Sequence, residues 1–218
     1  VTRPLAIDLF CGLGGWTDGL IAEGYDVIGF DIERHEYGEH RYPAQLVVQD
    51  VRTLHGSQFR GAALIVASPP CQAYSYRAMP WTRAKALPPP DNELFETCFR
   101  IQREACAAAG KHVPLIVENV RGAQKWVGRA RWNFGSFYLW GDVPALMPPA
   151  RGIKVVAHQN QRDGRAHTKH LTNPGEHGEG RKVPGFRFKS PARKMASAMI
   201  AKIPLPLARH IGAVYRTG

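Results

Sequence analysis

The chain has 218 residues, is 44% apolar and carries a formal net charge of +11, which suits one domain with a sizeable core and excludes a fibrous or wholly disordered protein. No apolar run approaches the ~20 residues needed to cross a bilayer, and the opening VTRPLAIDLF lacks the apolar stretch and cleavage site of a secretory signal. The four cysteines, Cys11, Cys71, Cys98 and Cys106, make no CxxC pair, so free thiols in a reducing, cytoplasmic compartment are expected instead of a disulfide scaffold.

LAIDLF (5–10) reads as a buried strand running into the glycine-rich turn CGLGG, and WTDGLIAEG (16–24) as a short helix stopped by Gly24. DVIGFD (26–31) is a second strand, EYGEHRY (36–42) a helical turn before Pro43, and QLVVQD (45–50) a third strand. ALIVAS (63–68) is a fourth, ended by Pro69 and Pro70 and followed by a loop over 72–91 rich in Pro, Arg and aromatics. DNELFETCFRIQREACAAAG (91–110) has helical spacing through Leu94, Phe95, Cys98, Ile101, Ala105 and Ala108, with Gly110 as its C-cap. Cys98 and Cys106 on this helix read as small core residues. PLIVEN (114–119) is a fifth strand, and FYLW (137–140) and GIKVVA (152–157) are further candidates. The closing ARKMASAMIAKIPLPLARHIGAVY is a helical pattern interrupted at Pro204 and Pro206. Short, almost wholly apolar strands alternating with helices predict an α/β fold with a mostly parallel sheet.

Charge divides the chain unevenly. Residues 1–140 hold 15 Lys/Arg against 14 Asp/Glu, a balance of +1, whereas residues 141–218 hold 14 against 4, a balance of +10. A near-neutral body with a basic C-terminal part points to a polyanionic partner. Residues 158–190 have no clear period and many Gly, His, Lys and Arg, so they read as a basic loop in which Arg162, Arg165, Lys169, Arg181 and Lys182 would meet phosphates. His158, His167, His170 and His177 lack the cysteine or carboxylate spacing of a zinc site, so no metal is expected.

In a parallel α/β sheet, ligands bind beyond the carboxyl ends of the strands. Asp31, Asp50, Cys71 and Glu118 all fall at such ends. The turn DLFCGLGG (8–15) lets the backbone approach a ligand and precedes the free N–H groups of a helix. Asp31, about twenty positions further, suits ribose hydroxyls, and Asp50 suits an adenine amino group. Together they indicate a nucleoside-containing cofactor. In SPPCQ (68–72) two prolines fix the backbone and project the Cys71 thiol at the mouth of a strand, where it is a candidate nucleophile. In VENV (117–120) the Glu118 carboxyl sits at the end of a buried strand and is a candidate proton carrier.

DLFCGLGG, Asp31, Asp50, PPCQ and ENV, in this order and at successive strand ends, resemble the cytosine-5 DNA methyltransferase family across most of residues 4–140. The resemblance implies a Rossmann-like fold that binds S-adenosyl-L-methionine (SAM), with Phe10, Gly12, Leu13, Gly14 and Gly15 around its methionine portion. It further implies that Ile32 packs on the adenine, that Asp50 and Val51 flank its edge, and that Pro70 and Leu94 complete the cofactor pocket. Cys71 would attack carbon 6 of a cytosine flipped out of double-stranded DNA, with Glu118 and Asn119 opposite. Gln72, Tyr74, Tyr76, Arg77, Trp81, Arg83 and Lys85 would form a loop closing over that base.

Three features depart from the family pattern. No QxRxR motif is present, and Arg129 and Arg131 are the nearest counterparts of its arginine. IAKIP replaces the usual GNAVP-like phrase, so that Ala201 stands where Asn is usual and Lys202 brings a charge to the cofactor side. With Arg121, that charge would suit an anionic cofactor variant, methyl being the default. Only about 55 residues separate WGD from MIAKIP, which leaves little scaffold for reading bases. The expected organisation is a SAM-binding and catalytic core over 1–157, a reduced target-recognition segment over 158–190, and a segment over 191–218 returning to the core. The expected activity is methylation of DNA at short or relaxed sites, in a bacterial cell or phage-infected host. An RNA cytosine methyltransferase and a non-catalytic binding module are the alternatives.

Overall fold

The computed structural model describes residues 2–75, 82, 86, 88–148 and 191–216. Seven strands form one sheet: β1 (Leu5–Leu9), β2 (Asp26–Asp31), β3 (Gln45–Val48), β4 (Leu64–Ala67), β5 (Leu115–Asn119), β6 (Trp132–Phe134) and β7 (Phe137–Gly141). Their order is β3-β2-β1-β4-β5-β7-β6. The first five are parallel to one another, while β7 runs antiparallel to both β5 and β6. The helices are α1 (Gly15–Ala22), α2 (Glu93–Ala109), α3 (Gln124–Val127), α4 (Pro191–Ala201) and α5 (Leu205–Arg216).

The central strands are mostly apolar because both faces of the sheet are covered. On one face Ile7, Leu9, Ile65, Ala67, Leu115 and Val117 pack with Phe95, Cys98, Ile101 and Ala105 of α2. Alternate residues Ala6, Leu64, Val66 and Ile116 meet Trp16 and Leu20 of α1 and Leu207, Ala208 and Ile211 of α5 on the other. This is a Rossmann-like α/β fold with a mostly parallel sheet, in agreement with the periodicity.

Although far apart in sequence, α1 and α5 touch. A Cβ on Gly19 would overlap the backbone of Ala208, so the helices approach at their smallest residues. Around that contact Arg209 Nε donates to Glu23 at 2.7 Å and the Tyr25 hydroxyl donates to the Gly212 carbonyl at 3.0 Å.

Strands β1 to β5, α2 and the Gly110 cap match the sequence reading, the last with φ 64° in the left-handed region. EYGEHRY does not form the expected helical turn. Tyr37 and His40 instead pair as an isolated bridge around Gly38, and Tyr42 is buried beside Gly29 and Thr17. β6 escapes sequence reading because three residues are too few for a period. The Pro204 carbonyl accepts from the N–H groups of Leu207 and Ala208 and so starts α5, while Pro206 lies in its first turn, where a missing N–H costs little. The candidate strand 152–157 lies outside the described residues.

Candidate active site

The glycine turn leaves β1 through Phe10, whose φ of 58° is the one positive value at a non-glycine among the described residues. Such a conformation typically costs 1–3 kcal/mol and persists where surrounding contacts enforce it. Here the Cys11 N–H donates to the Phe30 carbonyl at 3.1 Å and the Gly14 N–H to the Cys11 carbonyl at 2.8 Å. The Gly12 N–H donates to Asp31 Oδ2 at 2.9 Å, tying the turn to the end of β2. Gly14, at φ 73°, caps α1. A Cβ on Gly15 would overlap the backbone nitrogen of Ile203, so the C-terminal segment presses on the turn. Gly12 differs, because a Cβ there would meet nothing within 4 Å.

The cofactor candidates fall into two groups. Asp31 is buried but keeps one oxygen within 3.5 Å of His35, and Ile32 beside it is 66% exposed. An exposed isoleucine next to a buried carboxylate suits a planar apolar ligand. Leu13 and Val51 are buried. Asp50 caps the 3₁₀ turn Val51–Thr53, accepting from the Arg52 N–H at 2.9 Å and from the Arg52 guanidinium at 2.6 Å. Arg52 also reaches Glu93 at 3.4 Å and holds the Asp50 carboxyl below its ordinary value. Next to it lies a cavity of about 300 Å³ lined by Arg52, Pro70, Gln72, Tyr74, Leu94 and Phe95, among others, which brings Pro70 and Leu94 together. Ala201 is exposed at the end of α4. Lys202 pairs with Asp18 at 2.6 Å, so its charge is neutralised within the protein.

Cys71 sits four residues beyond Ala67, the last paired position of β4. Its carbonyl accepts from the N–H groups of Tyr74 and Ser75, each at 3.0 Å, which folds the chain back over the strand end. Asn119, expected opposite a bound base, is instead committed to the protein. It is 1% exposed, its Nδ2 donates to the Pro69 carbonyl at 2.9 Å, and its Oδ1 accepts from the Val120 N–H at 2.8 Å. Its amide therefore clamps the proline pair that carries Cys71. Tyr74, expected among the DNA contacts, is 3% exposed and donates its hydroxyl to Asn92 Oδ1 at 2.9 Å. It anchors the loop because its ring completes the core beneath α2. Gln72 is exposed.

Glu118 is 8% exposed, and burial pushes its carboxyl up to about 8, opposed by a hydrogen bond from Ser68. The Cys71 thiol is raised by burial first and by the Glu118 charge second. The Glu118 charge opposes ionisation of Cys71, so a proton on Glu118 eases formation of the thiolate.

Arg129 and Arg131 are exposed before β6. The Arg131 N–H donates to the Leu139 carbonyl at 2.9 Å, and Leu139 is the register partner of Glu118. With Arg121 and Lys125 they make four exposed cations in a stretch without a carboxylate from 120 to 141. A Cβ on Gly122 would overlap the Tyr74 carbonyl, so this basic stretch adjoins the Cys71 loop. Tyr76, Arg77, Trp81, Arg83 and Lys85, and Arg162, Arg165, Lys169, Arg181 and Lys182, lie outside the described residues. No cluster of metal-binding side chains is present among those described.

Sequence reasoning missed Ser68, Trp16 and a buried trio below the turn. Thr17 donates to Asp8 Oδ2 at 2.6 Å and contacts the Tyr42 hydroxyl at 2.6 Å. Burial raises the Asp8 carboxyl to about 7, and its Oδ1 has no partner. The single acid inside LAIDLF was the available signal.

Against known proteins, the family model for C-5 cytosine-specific DNA methylase matches residues 5–128. The chain belongs to that family. The match spans the glycine turn, Cys71, Glu118 and α3, ending just before Arg129. Type II methyltransferase M.XorII of Xanthomonas oryzae pv. oryzae (strain KACC10331 / KXO85) is 27% identical over 134 residues, covering 56% of this chain and 29% of that protein. Among solved structures, a protein described as a DNA modification methyltransferase encoded within an E. coli prophage is 25% identical, with a TM-score of 0.41, covering 57% of this chain and 34% of the other. The S. pombe Dnmt2 methyltransferase is 16% identical, with a TM-score of 0.38, covering 57% of this chain and 36% of its own. The chain thus spans about a third of the length of these relatives. No helix among the described residues is long and apolar enough to cross a membrane.

Proposed function

We propose that this chain transfers a methyl group from S-adenosyl-L-methionine to carbon 5 of cytosine in double-stranded DNA, with Cys71 as covalent nucleophile and Glu118 as proton carrier. The observation that carries the reading is the placement of Glu118 at the end of β5 and of Cys71 just beyond the end of the parallel neighbour β4, beside the proline-lined cavity. The residues fit the cofactor: Gly12 faces open space, Ile32 offers exposed apolar surface beside Asp31, and Pro70 and Leu94 line the cavity. When bound, it supplies the electrophilic methyl group that an activated carbon 5 takes up.

Carbon 5 of cytosine is a weak nucleophile until carbon 6 carries an added group. The Cys71 thiolate forms an S–C6 bond, and the displaced electron pair shifts toward carbon 5 and N3. Glu118 is protonated below about pH 8 and gives N3 its proton, so no negative charge is left on the ring. After methylation, Glu118, left as carboxylate, recovers its proton from N3; solvent water takes the carbon 5 proton, whose bonding pair reforms the carbon 5–carbon 6 double bond and expels Cys71 as thiolate. Asn119 keeps the nucleophile in place through Pro69. Arg129 or Arg131 steadies the base from the β6 side, and Arg121 and Lys125 meet the phosphate backbone. The weakly patterned basic segment 158–190 adds affinity without base reading, so the target site is short or relaxed.

The test is to mix the chain with S-adenosyl-L-methionine and matched DNA and RNA oligonucleotides containing 5-fluorocytosine, whose carbon 5 carries fluorine in place of the proton that must leave, so that the adduct is trapped. A denaturation-resistant adduct with DNA, absent in Cys71→Ala, is expected. An adduct with RNA alone would transfer the proposal to RNA, and neither adduct nor methyl transfer on any substrate would refute it. Sequencing of modified DNA tests specificity, and methylation confined to a site of four or more base pairs would refute the relaxed site.

A further inference from the structure

We propose that Ser68, locked by Trp16, is the positioning residue that orients the Glu118 carboxyl toward Cys71; this rests on the proposed methyl-transfer chemistry and adds to it. β4 and β5 pair in parallel as Ile65 with Leu115, Val66 with Ile116 and Ala67 with Val117. One step further the same register sets Ser68 beside Glu118, on the face where Val66 and Ile116 pack with Trp16. Trp16 is 2% exposed, and its Nε1 donates to Ser68 Oγ at 3.0 Å.

The indole N–H is a donor and nothing else. It therefore occupies an oxygen lone pair of Ser68 and turns the hydroxyl hydrogen away from itself. In register the neighbouring acceptor is the Glu118 carboxyl, whose rise through burial the Ser68 hydroxyl opposes. With one carboxyl oxygen held by that hydroxyl, the acidic proton resides on the other. Cys71 follows Ser68 by three residues, just beyond the end of β4, the strand paired with the one that carries Glu118, so that second oxygen serves the base attacked by Cys71. Trp16 is also the second residue of α1, directly after Gly14 and Gly15. The glycine turn and the proton carrier are thus joined through Trp16 and Ser68.

The experiment is a 13C NMR titration of the glutamate carboxyls in the intact chain, with the Glu118 signal assigned by its loss in Glu118→Gln. A hydrogen bond to the ionised carboxylate lowers its pKa, so Ser68→Ala should move the Glu118 midpoint upward by about one pH unit. Ser68→Thr should restore it, and Trp16→Phe should move it the same way by a smaller amount. In parallel, Ser68→Ala should slow adduct formation on 5-fluorocytosine DNA by about tenfold, with unchanged S-adenosyl-L-methionine affinity. A Glu118 midpoint that stays put or falls in Ser68→Ala, in a variant with the wild-type circular dichroism spectrum, overturns the proposal. A shift in Ser68→Ala without one in Trp16→Phe overturns the role of Trp16. If wild type forms no adduct with DNA or RNA, the methyl-transfer reading fails, while the titration still decides whether Ser68 holds Glu118.

Discussion

Glu118→Gln removes a carboxyl that the fold keeps protonated, so its effect on stability should change with pH. Glu118 is 8% exposed, and burial lifts its pKa from the ordinary 4.5 to about 8. Between those values the unfolded chain has released the proton and the native chain has kept it. The native state then binds more protons, and stability falls as pH rises through this window. The penalty is absent below about 4.5, grows by about 1.4 kcal/mol per pH unit, and is complete above about 8. Multiplying that slope by the interval gives about 5 kcal/mol, an upper value that relaxation and water entry reduce to about 2–4 kcal/mol. Glutamine has nearly the same volume, stays neutral, and can accept the Ser68 hydrogen bond. Asp8 titrates over a similar range in both proteins and cancels. Urea unfolding followed by circular dichroism at pH 4.5, 6, 7.5 and 9 measures the difference. Glu118→Gln should match wild type within about 1 kcal/mol at pH 4.5 and exceed it by about 2–4 kcal/mol at pH 9. A difference independent of pH, or a variant less stable than wild type at pH 9, would refute the reasoning.

Asn119→Ala leaves the Pro69 carbonyl and the Val120 N–H without their partner, and should cost about 1–3 kcal/mol in urea unfolding while slowing adduct formation through Cys71. Gly15→Ala forces a methyl into the Ile203 backbone, and should cost about 1–3 kcal/mol and weaken S-adenosyl-L-methionine binding in calorimetry. Gly61→Ala, where a Cβ meets nothing within 4 Å, should change stability by less than about 0.5 kcal/mol. Thr17→Val removes the hydroxyl that lowers the Asp8 pKa. Because the Asp8 carboxyl is already raised, the loss should deepen with pH, costing about 1–2 kcal/mol more at pH 9 than at pH 5. Equal costs at the two pH values would contradict that assignment.

The chemistry of the site was legible because it lies where sequence pattern is strongest. The apolar runs ending in Asp31, Cys71 and Glu118 mark strand ends by themselves, and parallel strands collect their ends on one edge. The glycine turn and the proline pair are likewise local, since their conformations depend on few neighbours. Partnership was decided by tertiary structure. No spacing shows that Asn119 would reach back to Pro69, that Tyr74 would turn inward to Asn92, or that Lys202 would meet Asp18. Each depends on segments between 18 and 184 residues apart being packed together. The same holds for Trp16, Ser68 and Glu118, which lie on three elements and meet only through strand register and the seating of α1. Residue type and local pattern determined which groups can do chemistry, and packing determined which of them point at a substrate and which hold the others still.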